Sequence, residues 1–194
     1  MLKFYDDKHQ YEVDGVIVPS VSEIIRFISR EVYGDIEAFN RNVLDNAADR
    51  GTRVHKACES LDLTGEVECD EDILGYVQAY AKFLSKHRVK WEIIEQPLYN
   101  AELNYAGTPD RYGFVDDVRV LADIKTSCSV NTRLITAQLN GYDKLMPTVP
   151  EMLCKLHLRA NGTYVYREIK KDDSGFMACL ALHRIMEPKR RNKQ

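Results

Sequence analysis

The chain has 194 residues, 44% of them apolar and 29% charged, with a formal charge of −3. That length and balance fit one domain with a sizeable core and argue against a disordered chain. No apolar run is long enough to span a bilayer, residues 1–7 lack the basic-then-apolar pattern of a secretion signal, and the charge lacks the basic excess of many nucleic-acid binders.

From the N-terminus, FYDDKHQYEVDGVIVPSVSEII reads as short strands around turns at Asp6-Asp7 and Asp14-Gly15, then a helix capped by Ser20 or Ser22. Ser20 with Glu23 makes a capping-box pattern. A helical pattern over 35–63 carries Gly51 as a break, and a second helix is predicted over 70–87 on the apolar positions Ile73, Leu74, Val77, Tyr80, Ala81 and Leu84. Three strands follow, over 91–99, 107–114 and 118–125. A helix over 132–146 is closed by Pro147 and Pro150, a hairpin over 152–159 and 163–169 turns at Asn161-Gly162, and a last helix covers 174–186.

This order predicts an α/β or α+β fold, a central mixed sheet flanked by helices, in a single domain over 1–188. The tail at 189–194 is expected to be basic and mobile, since the closing PKRRNKQ holds four cations in seven residues. Cys58, Cys69, Cys128, Cys154 and Cys179 are odd in number and form no CxxC pair, so reduced, mostly buried thiols are expected and neither a disulfide framework nor a zinc ribbon is. A cytoplasmic protein with no membrane partner is the expectation.

The segment richest in chemistry is YAGTPDRYGFVDDVRVLADIKTS, residues 105–127. A two-residue turn at Asp116-Asp117 places Asp110 directly opposite Asp123. Like charges opposed across a ladder are destabilising, so such a pair calls for a cation, and a divalent metal supplies one economically. Asp123 and Lys125 are two apart and project from one face, with Ile124 turned into the opposite, apolar layer. Hard oxygen ligands, a neighbouring lysine and the Ile124 carbonyl are parts that metal-assisted phosphodiester hydrolysis needs.

Those residues resemble the PD-(D/E)xK nuclease superfamily, and most closely its RecB-like branch. Gly107-Thr108-Pro109-Asp110 is similar to the branch's GxxD element, and Asp123-Ile124-Lys125, followed by the small polar pair Thr126-Ser127, to its (D/E)xK element. RGTRVHKACE, residues 50–59, is similar to an upstream helix whose histidine ligates metal, and QLNGY, residues 138–142, to the QxxxY motif. The four elements span residues 55–142 in the expected order. The resemblance implies a restriction-endonuclease-like core, magnesium or manganese held by His55, Asp110 and Asp123, and Glu95 as a further acid at a second metal. It also implies Lys125 at the attacking water and DNA cleavage that leaves a 5′-phosphate and a 3′-hydroxyl.

Two readings stand for the flanking residues. Gln138 and Tyr142 lie one helical turn apart, either as the rim of a core stripe or with polar tips near the metal or the DNA backbone. Arg50, Arg53 and Lys56 either line a phosphate path or are solvated helix cations. The cysteine spacing predicts no iron–sulfur cluster, and no phosphate-cradling GxxxxGK[ST] loop is present. A core of this size resembles phage or prophage exonucleases in recombination or repair, with DNA as substrate and a phage recombination protein or a further copy of the chain as partner. The alternatives are a catalytically silent nucleic-acid-binding module of the same fold and a site-specific endonuclease.

Overall fold

The computed structural model of the chain describes residues 1–33, 41–127 and 130–186. The expectations for the basic tail and for Cys128 lie outside the described residues, as does the start of the helix predicted over 35–63.

Three short strands, β1 (Leu2–Tyr5), β2 (Gln10–Val13) and β3 (Val16–Val18), form a small antiparallel sheet in that order. Its turns fall where the acids and Gly15 predict, with His9, Asp14 and Gly15 at positive φ. Ser20 caps α1 (Val21–Ile24), its Oγ accepting from the Glu23 N–H at 3.0 Å, and α2 (Arg26–Tyr33) follows. The long helix α3 (Arg41–Thr64) runs through Gly51 without the expected break. One glycine costs a helix about 1 kcal/mol relative to alanine, which a continuous buried stripe offsets. Next comes α4 (Glu71–Lys86). It presses closely on the loop after 158, where a Cβ on Gly75 would sit 1.7 Å from the Ala160 carbonyl oxygen.

Two of the predicted strands are each divided in two. The first becomes β4 (Val89–Ile94) and β5 (Leu98–Asn100); the second becomes β6 (Tyr105–Gly107) and β7 (Arg111–Val115). Pro97 and Pro109 sit at the two breaks, and a residue without an N–H cannot continue a ladder. β5 and β6 pair as a separate hairpin inserted between β4 and β7. The remaining elements are β8 (Val118–Lys125), α5 (Thr132–Asp143), β9 (Met152–Leu158), β10 (Tyr164–Ile169) and α6 (Ser174–Met186).

The main sheet has five strands in the order β10-β9-β8-β7-β4, antiparallel except for the β8–β9 pair. That parallel pair requires a crossover, and α5 makes it. Period-two alternation divides the strands between two cores. Leu121, Leu153 and Ile169 face α1, α5 and α6 with Val21, Ile24, Leu139, Phe176 and Leu180. Val120, Ala122, Ile124, Cys154, Leu156 and Leu158 face α3 and α4 with Val54, Cys58, Val77, Tyr80 and Phe83. The fold is therefore a mixed sheet with helices on both faces, as expected, and no described helix is long and apolar enough to cross a membrane.

Candidate metal centre

Asp116 and Asp117 have φ of 51° and 68°, the left-handed pair that a tight two-residue hairpin uses. The turn sets the pairs Val115↔Val118 through Arg111↔Ala122. One step further in that register, Asp110, the residue before β7, faces Asp123 of β8. Both carboxylates are buried, Asp110 at 8% and Asp123 at 1% exposure. Asp110 Oδ2 accepts the Ile124 N–H at 2.6 Å, which locks one carboxylate against the backbone of the other strand.

Asp123 Oδ2 lies 2.6 Å from the Lys125 Nζ, while Asp123 Oδ1 is buried with no hydrogen-bond partner among the described residues. Burial pushes the Asp123 carboxyl up to about 6; Lys125 opposes the rise and the Asp110 charge adds to it. Burial likewise raises the Asp110 carboxyl, against the nearby His55 cation and with the help of Glu95.

Two more side chains converge from elsewhere in the chain. His55 reaches in from α3, with Nδ1 3.0 Å from Glu95 Oε1 and 3.7 Å from Asp110 Oδ1, and Nε2 3.2 Å from the Ile124 carbonyl oxygen. Both ring nitrogens face acceptors, the environment of an imidazolium. Burial works against that charge, but Asp110 and Glu95 outweigh it and the ring is pushed up to about 9. Glu95 follows β4 at φ 44° and donates its N–H to the Asp110 carbonyl at 3.1 Å. A non-glycine residue held there costs energy, and such strain collects at functional sites. One ligand atom from each of His55, Glu95 and Asp110 lies within 4.8 Å of the other two. Asp123 stands one ladder step beyond that trio.

The glycine at 107 keeps this corner closed. A Cβ there would meet the Tyr142 ring at 2.8 Å. Tyr142 joins the two readings made of it: its ring is buried in the core with Leu139 and Leu145, and its hydroxyl feels Asp110, Asp123 and a hydrogen bond from Gln138. Burial first, and then the two acids, drive that hydroxyl far above its ordinary range, so it stays protonated and able to donate. Thr126 is half-buried beside Gly51 of α3, and Ser127 is exposed, its carbonyl 2.7 Å from His157 Nε2.

The cations of α3 make their contacts elsewhere. Arg53 is held by Asp49, Asp70 and Asp72 at 2.8, 2.9 and 2.6 Å, Arg50 lies over the Tyr76 ring, and Lys56 is exposed.

Sequence reasoning missed three participants. Arg111, fully buried, donates to Asp62 at 2.7 Å, to Glu95 at 3.1 Å and to the Asp110 carbonyl at 2.7 Å. Asp62 in turn accepts from the Tyr80 hydroxyl at 2.7 Å. The signal was available: Arg111 follows Asp110, so period two turns it into the apolar layer, where a charge demands a partner. Tyr11, from the N-terminal sheet, shares a 2.8 Å hydrogen bond with Thr108 in the GxxD segment, a contact no local pattern foretells. No protein-family model and no curated protein matches this chain.

Proposed function

We propose that the chain is a divalent-metal-dependent nuclease of the PD-(D/E)xK type, acting on DNA in the cytoplasm and cleaving from ends. The observation that carries the reading is the unpartnered Asp123 Oδ1, buried beside Asp110 and one step from the His55–Glu95–Asp110 trio. A buried carboxylate oxygen without a donor is costly, and a hard cation is the partner that such a donor set fits. The resemblance of the GxxD, (D/E)xK and QxxxY segments supports the same reading.

His55, Glu95, Asp110 and Asp123 would hold the ion, with the Ile124 carbonyl at the same corner. Magnesium or manganese, when bound, polarises a phosphate oxygen and lowers the pKa of water. The chain's own residues do the rest. The Ile124 N–H and the Arg111–Glu95 bond fix two carboxylates in place before substrate arrives. Lys125 carries its ammonium next to Asp123, where it meets the attacking water or the charge developing on phosphate. The Tyr142 hydroxyl offers a second donor. Water attacks phosphorus, the bond to the 3′ oxygen breaks, and the products carry a 5′-phosphate and a 3′-hydroxyl.

The test is degradation of end-labelled linear and closed circular DNA with magnesium, with manganese and with chelator, comparing wild type with Asp123→Ala and Lys125→Ala. Metal-dependent loss of the linear substrate, reduced about a hundredfold or more by either substitution, is expected. Nicking of the circle would make it an endonuclease. Folded, manganese-loaded protein that cuts neither substrate would overturn the nuclease reading in favour of a binding module.

A further inference from the structure

The ladder row that holds the two acids continues past them into bases. Asp123 on β8 is paired with Lys155 on β9, and Lys155 with Arg167 on β10. Paired positions project to the same side of a sheet, so the three side chains share a face. With strands about 4.8 Å apart, the Arg167 backbone lies roughly 10 Å from that of Asp123.

Lys155 and Arg167 are like charges directly opposed on an antiparallel pair, an arrangement that weakens a sheet unless an anion neutralises it. Among the described residues neither forms an ion pair: the Asp123 carboxylate pairs with Lys125 and not with Lys155. Lys155 is half-buried and Arg167 exposed. His157, next on the same face of β9, lies 2.7 Å from the Ser127 carbonyl oxygen. On α3, Arg53 is already taken up by three carboxylates, Asp49, Asp70 and Asp72.

We propose that Lys155 and Arg167 form a phosphate track, along which the nucleic-acid backbone leaves the metal centre across β9 and β10 and not along α3. The inference rests on the nuclease reading above. The row is then segregated by task, its acids holding metal at the cleaved phosphate and its bases neutralising phosphates further along the strand.

The test is manganese-dependent cleavage of a labelled DNA oligonucleotide over about 50 to about 200 mM salt, for wild type, Lys155→Gln and Arg167→Glu. Arg167→Glu replaces a like-charge pair by an opposite-charge pair with Lys155, so it keeps or raises the melting temperature and a loss cannot be ascribed to unfolding. Expected is a rise in KM of about tenfold for Arg167→Glu, kcat within about twofold, and a salt slope smaller by about one for each cation removed. Wild-type KM and salt slope in both variants of an active enzyme would overturn the track and leave the nuclease reading standing. A manganese-loaded wild type that cleaves nothing would overturn the nuclease reading, and the track with it.

Discussion

Arg111 and Asp123 are almost equally inaccessible, at 0% and 1% exposure, but their surroundings are completed to different degrees. Arg111 has two carboxylates, Asp62 and Glu95, a backbone carbonyl and the Tyr80 ring around its guanidinium, and among the described residues its Nη2 alone lacks an acceptor. Asp123 has one cation, which sits partly in solvent, another acid in the facing position, and an oxygen with no donor. The Arg111 charge is neutralised by carboxylates on the protein itself, whereas Asp123 keeps an oxygen that a metal would fill on the reading proposed above. A buried charge is thus informative through what its partners leave unfinished, more than through its burial.

Breaking the more nearly completed cluster has the largest expected effect. Arg111→Met leaves the Asp62 carboxylate buried without its cation and takes from Glu95 one of two cationic partners, a loss of about 3–5 kcal/mol. For a chain of this length that lowers the melting temperature by roughly 10 °C, measured by thermal denaturation in chelator. A variant that melts with the wild type would show that the cluster adds nothing to stability.

The unfinished cluster should answer in the opposite sense. Manganese at a hundred times its Kd stabilises the wild type by about 2.7 kcal/mol, a rise of roughly 5–10 °C. Asp123→Asn removes a charge that the metal-free fold holds at a cost, so it is expected to melt at or above the wild type in chelator and to lose most of the rise in manganese. A variant that keeps the full rise would exclude Asp123 as a ligand.

The smallest effect is a pH trend. Asp123 has its folded pKa raised to about 6, so its contribution to metal-free stability is present below the ordinary carboxylate range and is lost as pH rises through about 6. His55 is raised to about 9, so its stabilisation is present below its ordinary value and is lost as pH rises through about 9. Both make the metal-free protein less stable between about pH 4 and pH 9. Metal needs Asp123 ionised and His55 neutral, so the increment gained on adding manganese grows over the same range. Melting curves with and without manganese at several pH values check this, and an increment that stays flat from pH 6 to pH 9 counts against His55 as a ligand.

Much of this was legible along the chain because it depends on near neighbours. Period two put Asp123 and Lys125 on one face and Ile124 on the other, the Asp116-Asp117 turn set the register that brings Asp110 to Asp123, and Ser20 announced its helix. The divided strands at Pro97 and Pro109 were equally local, since the missing N–H is written in the sequence, and the expectation of two long strands overlooked it.

What remained is a matter of which distant segments share space. Composition and pattern could not tell that β9 lies parallel to β8, and with it that Lys155 and Arg167 continue the row of Asp123. Nor could helix periodicity tell that Arg53 spends its charge on Asp70 and Asp72, or that Asp62 waits for Arg111 across the core. The sequence by itself determined the local geometry of the β7–β8 hairpin and the side chains it presents, because turns and alternation act over a few residues. Only the tertiary structure decided which charges are completed and which are left open, because that depends on the pairing of elements far apart in the chain.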